Sequence, residues 1–238
     1  MNDWTTKRKL AICEADDFQT KYDRNGLEML FYWKSIYPKF KITLFTIPNK
    51  TSQEFRKLIM RHSDWIELTV HGWDHDSNYE CWGWDYDKTK ALMTRVFSTT
   101  SVEMLYNGDN GYKKIFKAPG WTITGGPNGE GSGYPLQEQN LLAKDPQAVY
   151  KALKDLDFIV FDRHYDKDLR PEGAKIVCVD CNPDIVHMHT WDMVTGDLAG
   201  KNGFRQVEEL HGTPWNNETE FFFVSEAWEE GLFKECQP

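Results

Sequence analysis

The sequence predicts an α/β fold in which a mostly parallel sheet, covered by helices, closes into a distorted or incomplete (β/α) barrel of about seven parallel strands. Three observations lead there. Short apolar, β-branched runs alternate with amphipathic segments of helical period across short connections, which is the pattern of strand-crossover-strand units. That many strands within 238 residues, with no linker or break in composition, suit a single barrel domain over residues 1–238 better than an open sheet. Finally, ionisable residues stand at the carboxyl ends of the expected strands: Asp16 and Asp17, His71, Lys117, Asp162 and His189. In parallel α/β folds chemistry gathers at this edge of the sheet.

Taken in order, Leu10-Ala11-Ile12-Cys13 reads as a buried strand that gives way to the acidic stretch Glu14-Ala15-Asp16-Asp17. Adjacent carboxylates point to opposite faces of a strand, so Asp16 and Asp17 can share a site only where the strand becomes loop. Leu27, Leu30 and Phe31 predict a helix that closes before Pro38. A second strand spans Lys41 to Ile47 and is stopped by Pro48-Asn49. Thr51-Ser52-Gln53-Glu54 has the form of a capping box, and Phe55, Leu58 and Ile59 give the helix behind it an apolar face. Trp65 to Val70 is the third strand and runs into His71. Tyr79, Trp82, Trp84 and Tyr86 then stand among Asp, Glu and Gly; such rings either form a sugar-stacking surface or fold inward. A helix over 88–105, a strand over 113–116, a glycine-rich segment over 121–135 and a helix over 147–154 follow. Strands over 158–161, 175–179, 185–189 and 220–224, and a helix over 204–210, complete the pattern.

Lys and Arg number 28 against 37 Asp and Glu, and a formal charge of -9 argues against recognition of nucleic acid or anionic membrane through bulk electrostatics. No apolar run approaches the roughly 20 residues of a membrane-spanning helix, so no integral membrane segment is expected. The first ten residues lack the apolar core of an export signal, and a cytoplasmic location is the expectation. Five scattered cysteines make a poor disulfide framework. Cys178 and Cys181 form a CxxC without a second pair, so buried thiols are expected rather than a zinc ribbon.

His71 and His75 leave one strand end, with Gly72 favouring a loop between them. Neutral imidazole is a common ligand of zinc and other first-row metals, and a strand end followed by loop can bring two rings to one ion. An isolated pair at this spacing is as often two unrelated surface residues. The other charged strand ends give this pair its weight.

At these residues the chain resembles the polysaccharide deacetylase family, the NodB-homology or carbohydrate esterase family 4 enzymes. Glu14-Ala15-Asp16-Asp17, His71-Gly72-Trp73-Asp74-His75, Lys117-Ala118-Pro119-Gly120-Trp121, Asp162 and His187-Met188-His189 follow the order of that family's motifs. The resemblance implies a NodB-like barrel that removes N-acetyl or O-acetyl groups from an amino sugar or polysaccharide. It implies that Asp17, His71 and His75 hold one divalent metal, zinc by default, with cobalt, nickel, iron and manganese able to take the same ligands. It also implies Asp16 as general base, His189 as general acid, Asp162 as the residue orienting that acid, and the Gly120 backbone N–H as an oxyanion donor. The partner is then a carbohydrate bearing acetamido or acetyl groups.

The chain departs from the family's pattern at four places. Lys117 replaces an arginine beside the base, a point charge in place of a planar fork. Gly120-Trp121 stands for Tyr-Gly, Phe18 for a glycine after the second aspartate, and His187 for the leucine of the last motif. Three other readings use the same residues: a non-catalytic carbohydrate-binding protein on this fold, a two-His-one-carboxylate iron oxygenase, and a barrel whose strand-end charges are structural.

Overall fold

A computed structural model of the chain describes residues 10–19, 23–76, 80–98, 111–121, 123, 145–162, 170–189 and 215–234. The strands are β1 (Leu10–Phe18), β2 (Ile42–Thr46), β3 (Ile66–His71), β4 (Tyr112–Lys117), β5 (Ile159–Asp162), β6 (Lys175–Cys178), β7 (Ile185–His189) and β8 (Glu220–Phe222). The helices are α1 (Asp23–Ile36), α2 (Gln53–Met60), α3 (Tyr86–Ser98), α4 (Pro146–Asp155) and α5 (Val224–Glu229). Seven strands follow one another in the order β6-β5-β4-β3-β2-β1-β7, and β8 pairs with the beginning of β1. β1 runs parallel to β2, β7 and β8, and β5 runs parallel to β4 and β6. The path is open at β6 and β7, so the expected incomplete barrel of parallel strands is the one that forms.

The chain divides into two compact units, and the division cuts β3 between Leu68 and Thr69. The first unit holds β1, β2, β7, β8, α1, α2 and α5. Its core is strongly aromatic. Trp215 meets Trp33, Tyr37, Phe40 and Phe221 with ring centroids 5.9, 5.6, 5.7 and 5.3 Å away, separations at which tilted and edge-on rings attract. Trp33 is fully buried, and Trp33→Ala is expected to cost about 3–5 kcal/mol. A lowered urea midpoint at constant m-value checks this.

Two helix starts in this unit differ from expectation. α2 is capped by Ser52, whose Oγ accepts from the Phe55 N–H at 3.2 Å, and not by a box led by Thr51. α5 was not expected. Its entry is held by Glu226, which accepts from the Phe223 N–H at 3.1 Å and pairs with Lys41 at 2.6 Å. Its first amides reach the sheet as well: Val224 N–H donates to Thr43 Oγ1 (3.0 Å), and that hydroxyl donates to the buried Glu67 carboxylate (2.8 Å). Each polar group buried here is thereby matched to a partner, as burial requires.

The second unit carries β4, β5, β6, α3 and α4. Asp145 caps α4 by accepting from the Ala148 N–H at 2.9 Å, with Pro146 in the first turn. Trp84 is buried 6.0 Å from Phe116, and Tyr86 opens α3 with its hydroxyl on Asp155 at 2.8 Å. Trp84 thus takes the inward alternative, while the half-buried Tyr86 is tied by its hydroxyl at the start of its helix; Tyr79 and the Trp82 side chain lie outside the described residues. Cys13, Cys81 and Cys178 are buried free thiols, and burial pushes the Cys81 thiol well up. Cys181, by contrast, is disulfide-bonded and so is not the second buried thiol expected at the CxxC. The helix expected over 204–210 and nearly all of the glycine-rich segment lie outside the described residues. No helix among them is long and apolar enough to cross a membrane.

Candidate metal centre and active site

β1 does not end at the acidic stretch. It runs on to Phe18, but its register with β2 shifts between Ala15 and Phe18, and Asp17 takes a left-handed φ of 64°. This is a bulge, and a bulge re-aims side chains without ending the strand. The bulge takes the place of the loop expected here, and the two aspartates fall in different groups of potential ligands, Asp17 with His71 and His75 and Asp16 with Glu14 and His187. Phe18 is fully buried and stacks on Phe55 of α2 with centroids 5.8 Å apart, which anchors the strand just past the bulge.

His71 is the last residue of β3 and is buried. Its Nδ1 lies 3.0 Å from the Lys117 carbonyl oxygen at the end of β4. A carbonyl can only accept, so Nδ1 carries the hydrogen and Nε2 is the ring's acceptor nitrogen. A metal-binding imidazole is commonly oriented in just this way. The Gly72 N–H donates to the same carbonyl at 3.2 Å.

The loop from His71 to His75 is built around a carboxylate that the sequence did not single out. Glu80 accepts from the backbone N–H groups of Trp73 (3.0 Å), Asp74 (2.9 Å) and His75 (3.1 Å), closing the chain over itself. Gly72 is required beneath it: its φ is 63°, and a Cβ there would collide with Glu80 Oε2 and come 2.7 Å from Pro119 Cγ. The rings of His71 and His75 end with centroids 5.0 Å apart. Glu80→Ala should release three amides and weaken metal binding about 10–100-fold, as losses of outer partners do. Isothermal titration with zinc measures this.

Asp17, His71 and His75 form one of two groups of potential ligands among the described residues, with ligand atoms all within 4.8 Å of one another. The donor set fits a divalent cation: one carboxylate and two imidazoles, one ring already oriented through Nδ1. Backbone strain collects at the same residues. Three described non-glycine residues have left-handed φ, and two of them are Asp17 and His75, at 64° and 48°. Such conformations cost about 1–3 kcal/mol each and persist where surrounding structure imposes them, often at functional sites.

The other expected site residues also stand at strand ends. Lys117 closes β4 with no exposed surface, and Gly120 follows it in a left-handed turn with φ 60°. Asp162 closes β5, where the Tyr150 hydroxyl of α4 donates to its Oδ2. Tyr150 was not anticipated; it reads in the sequence as one more apolar-face residue of its helix. His189 ends β7 opposite Asp16, while its side chain lies outside the described residues. The second group of potential ligands is Glu14, Asp16 and His187.

No protein-family model matches the chain, and no curated protein does. Among solved structures it is similar to "T48 deacetylase with substrate", at 14% identity and a TM-score of 0.51, over 98% of this chain and 97% of that one. The chain has that deacetylase's fold. Weaker likenesses are a chitin deacetylase from the fungal pathogen Colletotrichum lindemuthianum (14% identity, TM-score 0.47, 93% of this chain and 88% of that one) and a family 4 carbohydrate esterase from Streptomyces lividans in complex with acetate (12%, 0.47, 90% and 97%). These two add nothing to the fold assignment. At such identities the likeness is one of fold, and function is argued from the site.

Proposed function

We propose that the chain is a metal-dependent hydrolase that removes an N-acetyl or O-acetyl group from an amino sugar or polysaccharide. The observation that carries this is the grouping of Asp17, His71 and His75 at the carboxyl edge of a deacetylase-type sheet. Three protein ligands leave coordination positions open for water and substrate, the arrangement of a catalytic metal. A divalent ion there, zinc by default, supplies Lewis acidity toward the acyl oxygen and water.

The remaining work falls to the chain's own residues. Asp16, buried and adjacent to the bulged Asp17, takes the proton of the attacking water. His189, opposite Asp16 in the strand register, gives a proton to the departing amine or alcohol. Asp162, held by Tyr150, orients that acid; the charge of Lys117 balances the carboxylates; the Gly120 N–H meets the oxyanion.

Acetate release tests the reading. Zinc-loaded protein incubated with N-acetylglucosamine oligomers and, separately, with acetylated xylan is expected to release acetate from at least one. Stoichiometric bound zinc with no acetate from either would refute it and leave a carbohydrate-binding role.

A further inference from the structure

Glu14 has no part in the chemistry above, yet it sits within β1 with no exposed surface. A carboxylate buried there has to be met by a donor. His187 is one: its Nδ1 lies 2.7 Å from Glu14 Oε1, and the parallel register of β1 and β7 sets these two residues directly opposite each other. Residues two apart share a strand face, so Asp16 follows Glu14 on the same side of β1. The second ring nitrogen of His187, Nε2, lies 4.0 Å from Asp16 Oδ2. A single imidazole thus spans from a buried anchoring carboxylate to the carboxylate assigned as base. A leucine at this position could fill the space but could not join the two.

We infer that Glu14 and His187 form a positioning couple that sets the orientation of the Asp16 carboxylate. The inference rests on the reading of Asp16 as the base. Glu14 accepts from Nδ1–H, the rigid ring carries that restraint across its width, and as the imidazolium it presents Nε2–H toward one oxygen of Asp16 at 4.0 Å, an ion-pair approach longer than a hydrogen bond. A base beside a strand bulge is thereby held in one direction before substrate arrives, which is how preorganisation lowers a barrier. The same couple explains why a glutamate and a histidine occur together here.

The test uses full-length protein with His187→Gln, Glu14→Gln and Asp16→Asn. Histidine-selective nitrogen-15 NMR reads the couple without any turnover, the His187 signals being those lost in His187→Gln. A hydrogen-bonded Nδ1–H signal should be present in the parent protein and shifted in Glu14→Gln, and the Nε2 signal should move in Asp16→Asn. An Nε2 signal unmoved in Asp16→Asn overturns the inference, whether or not acetate is released. In kinetics, His187→Gln should lower kcat on the order of tenfold to a hundredfold, as misplacement of a catalytic group does, with KM and zinc content unchanged. A raised KM at constant kcat would make His187 a substrate contact and sink the inference while the deacetylase reading stands. If the parent protein releases no acetate, that reading falls and the NMR result alone decides the couple. Should His187→Gln fail to fold, Glu14→Gln, which preserves shape, gives both readouts.

Discussion

Replacing His71 by alanine is expected to strip the metal and reduce acetate release about a thousandfold or more, the several kcal/mol that a Lewis acid supplies at the transition state. The expectation follows from where the ring sits. It is buried at the end of β3, and its Nδ1 is committed to the Lys117 carbonyl, so Nε2 is the nitrogen left to coordinate. The nearby Glu80 carboxylate is not available to take its place, because three backbone amides engage it. Metal analysis of the purified variant should fall from one zinc per chain toward zero while the circular dichroism stays that of the parent protein. Full stoichiometry in both His71→Ala and His75→Ala would show that the ligand set is wrong.

Asp16→Asn should slow acetate release at least about a hundredfold with zinc content unchanged, the usual effect of losing a positioned base. Asparagine keeps the shape and removes the proton acceptor. Asp17→Asn should behave differently: it removes the anionic donor, so zinc affinity falls and excess zinc restores part of the rate. The bulge gives the two aspartates different backbone settings, and Asp17 alone has the left-handed φ. If Asp16→Asn is the variant that needs extra zinc, the two carboxylates exchange roles.

Much of this arrangement is legible in the sequence because it rests on patterns that burial enforces. Apolar runs mark β2, β3, β5 and β7 to within a residue or so of where they form, and each is followed by a change to polar residues at the edge where the site collects. What was not legible depends on local geometry that no periodicity records. The sign of φ at Asp17 decides that β1 bulges and does not stop. Glu80 is one acid among many in a polar stretch until its amide partners are seen. Glu14 reads as part of an acidic loop, and its pairing with His187 depends on β1 and β7 being neighbours although far apart in sequence. α5 is short, begins with Phe223 at its cap, and is held by side chains from β2 and β3, so neither length nor capping residue announces it. Trp84 and Tyr86 stand in a polar stretch that left a binding surface and an inward fold equally open, and only the packing of Trp84 on Phe116 decides for the inward fold at that ring.

The account is tested most directly by titrating zinc into chelator-stripped protein while acetate release from an acetylated oligosaccharide is followed. The rate should be near background without metal, rise linearly, and break at one equivalent per chain. Acetate release that is indifferent to zinc, or its absence when one equivalent is bound, would contradict a metal-dependent deacetylase built on Asp17, His71 and His75.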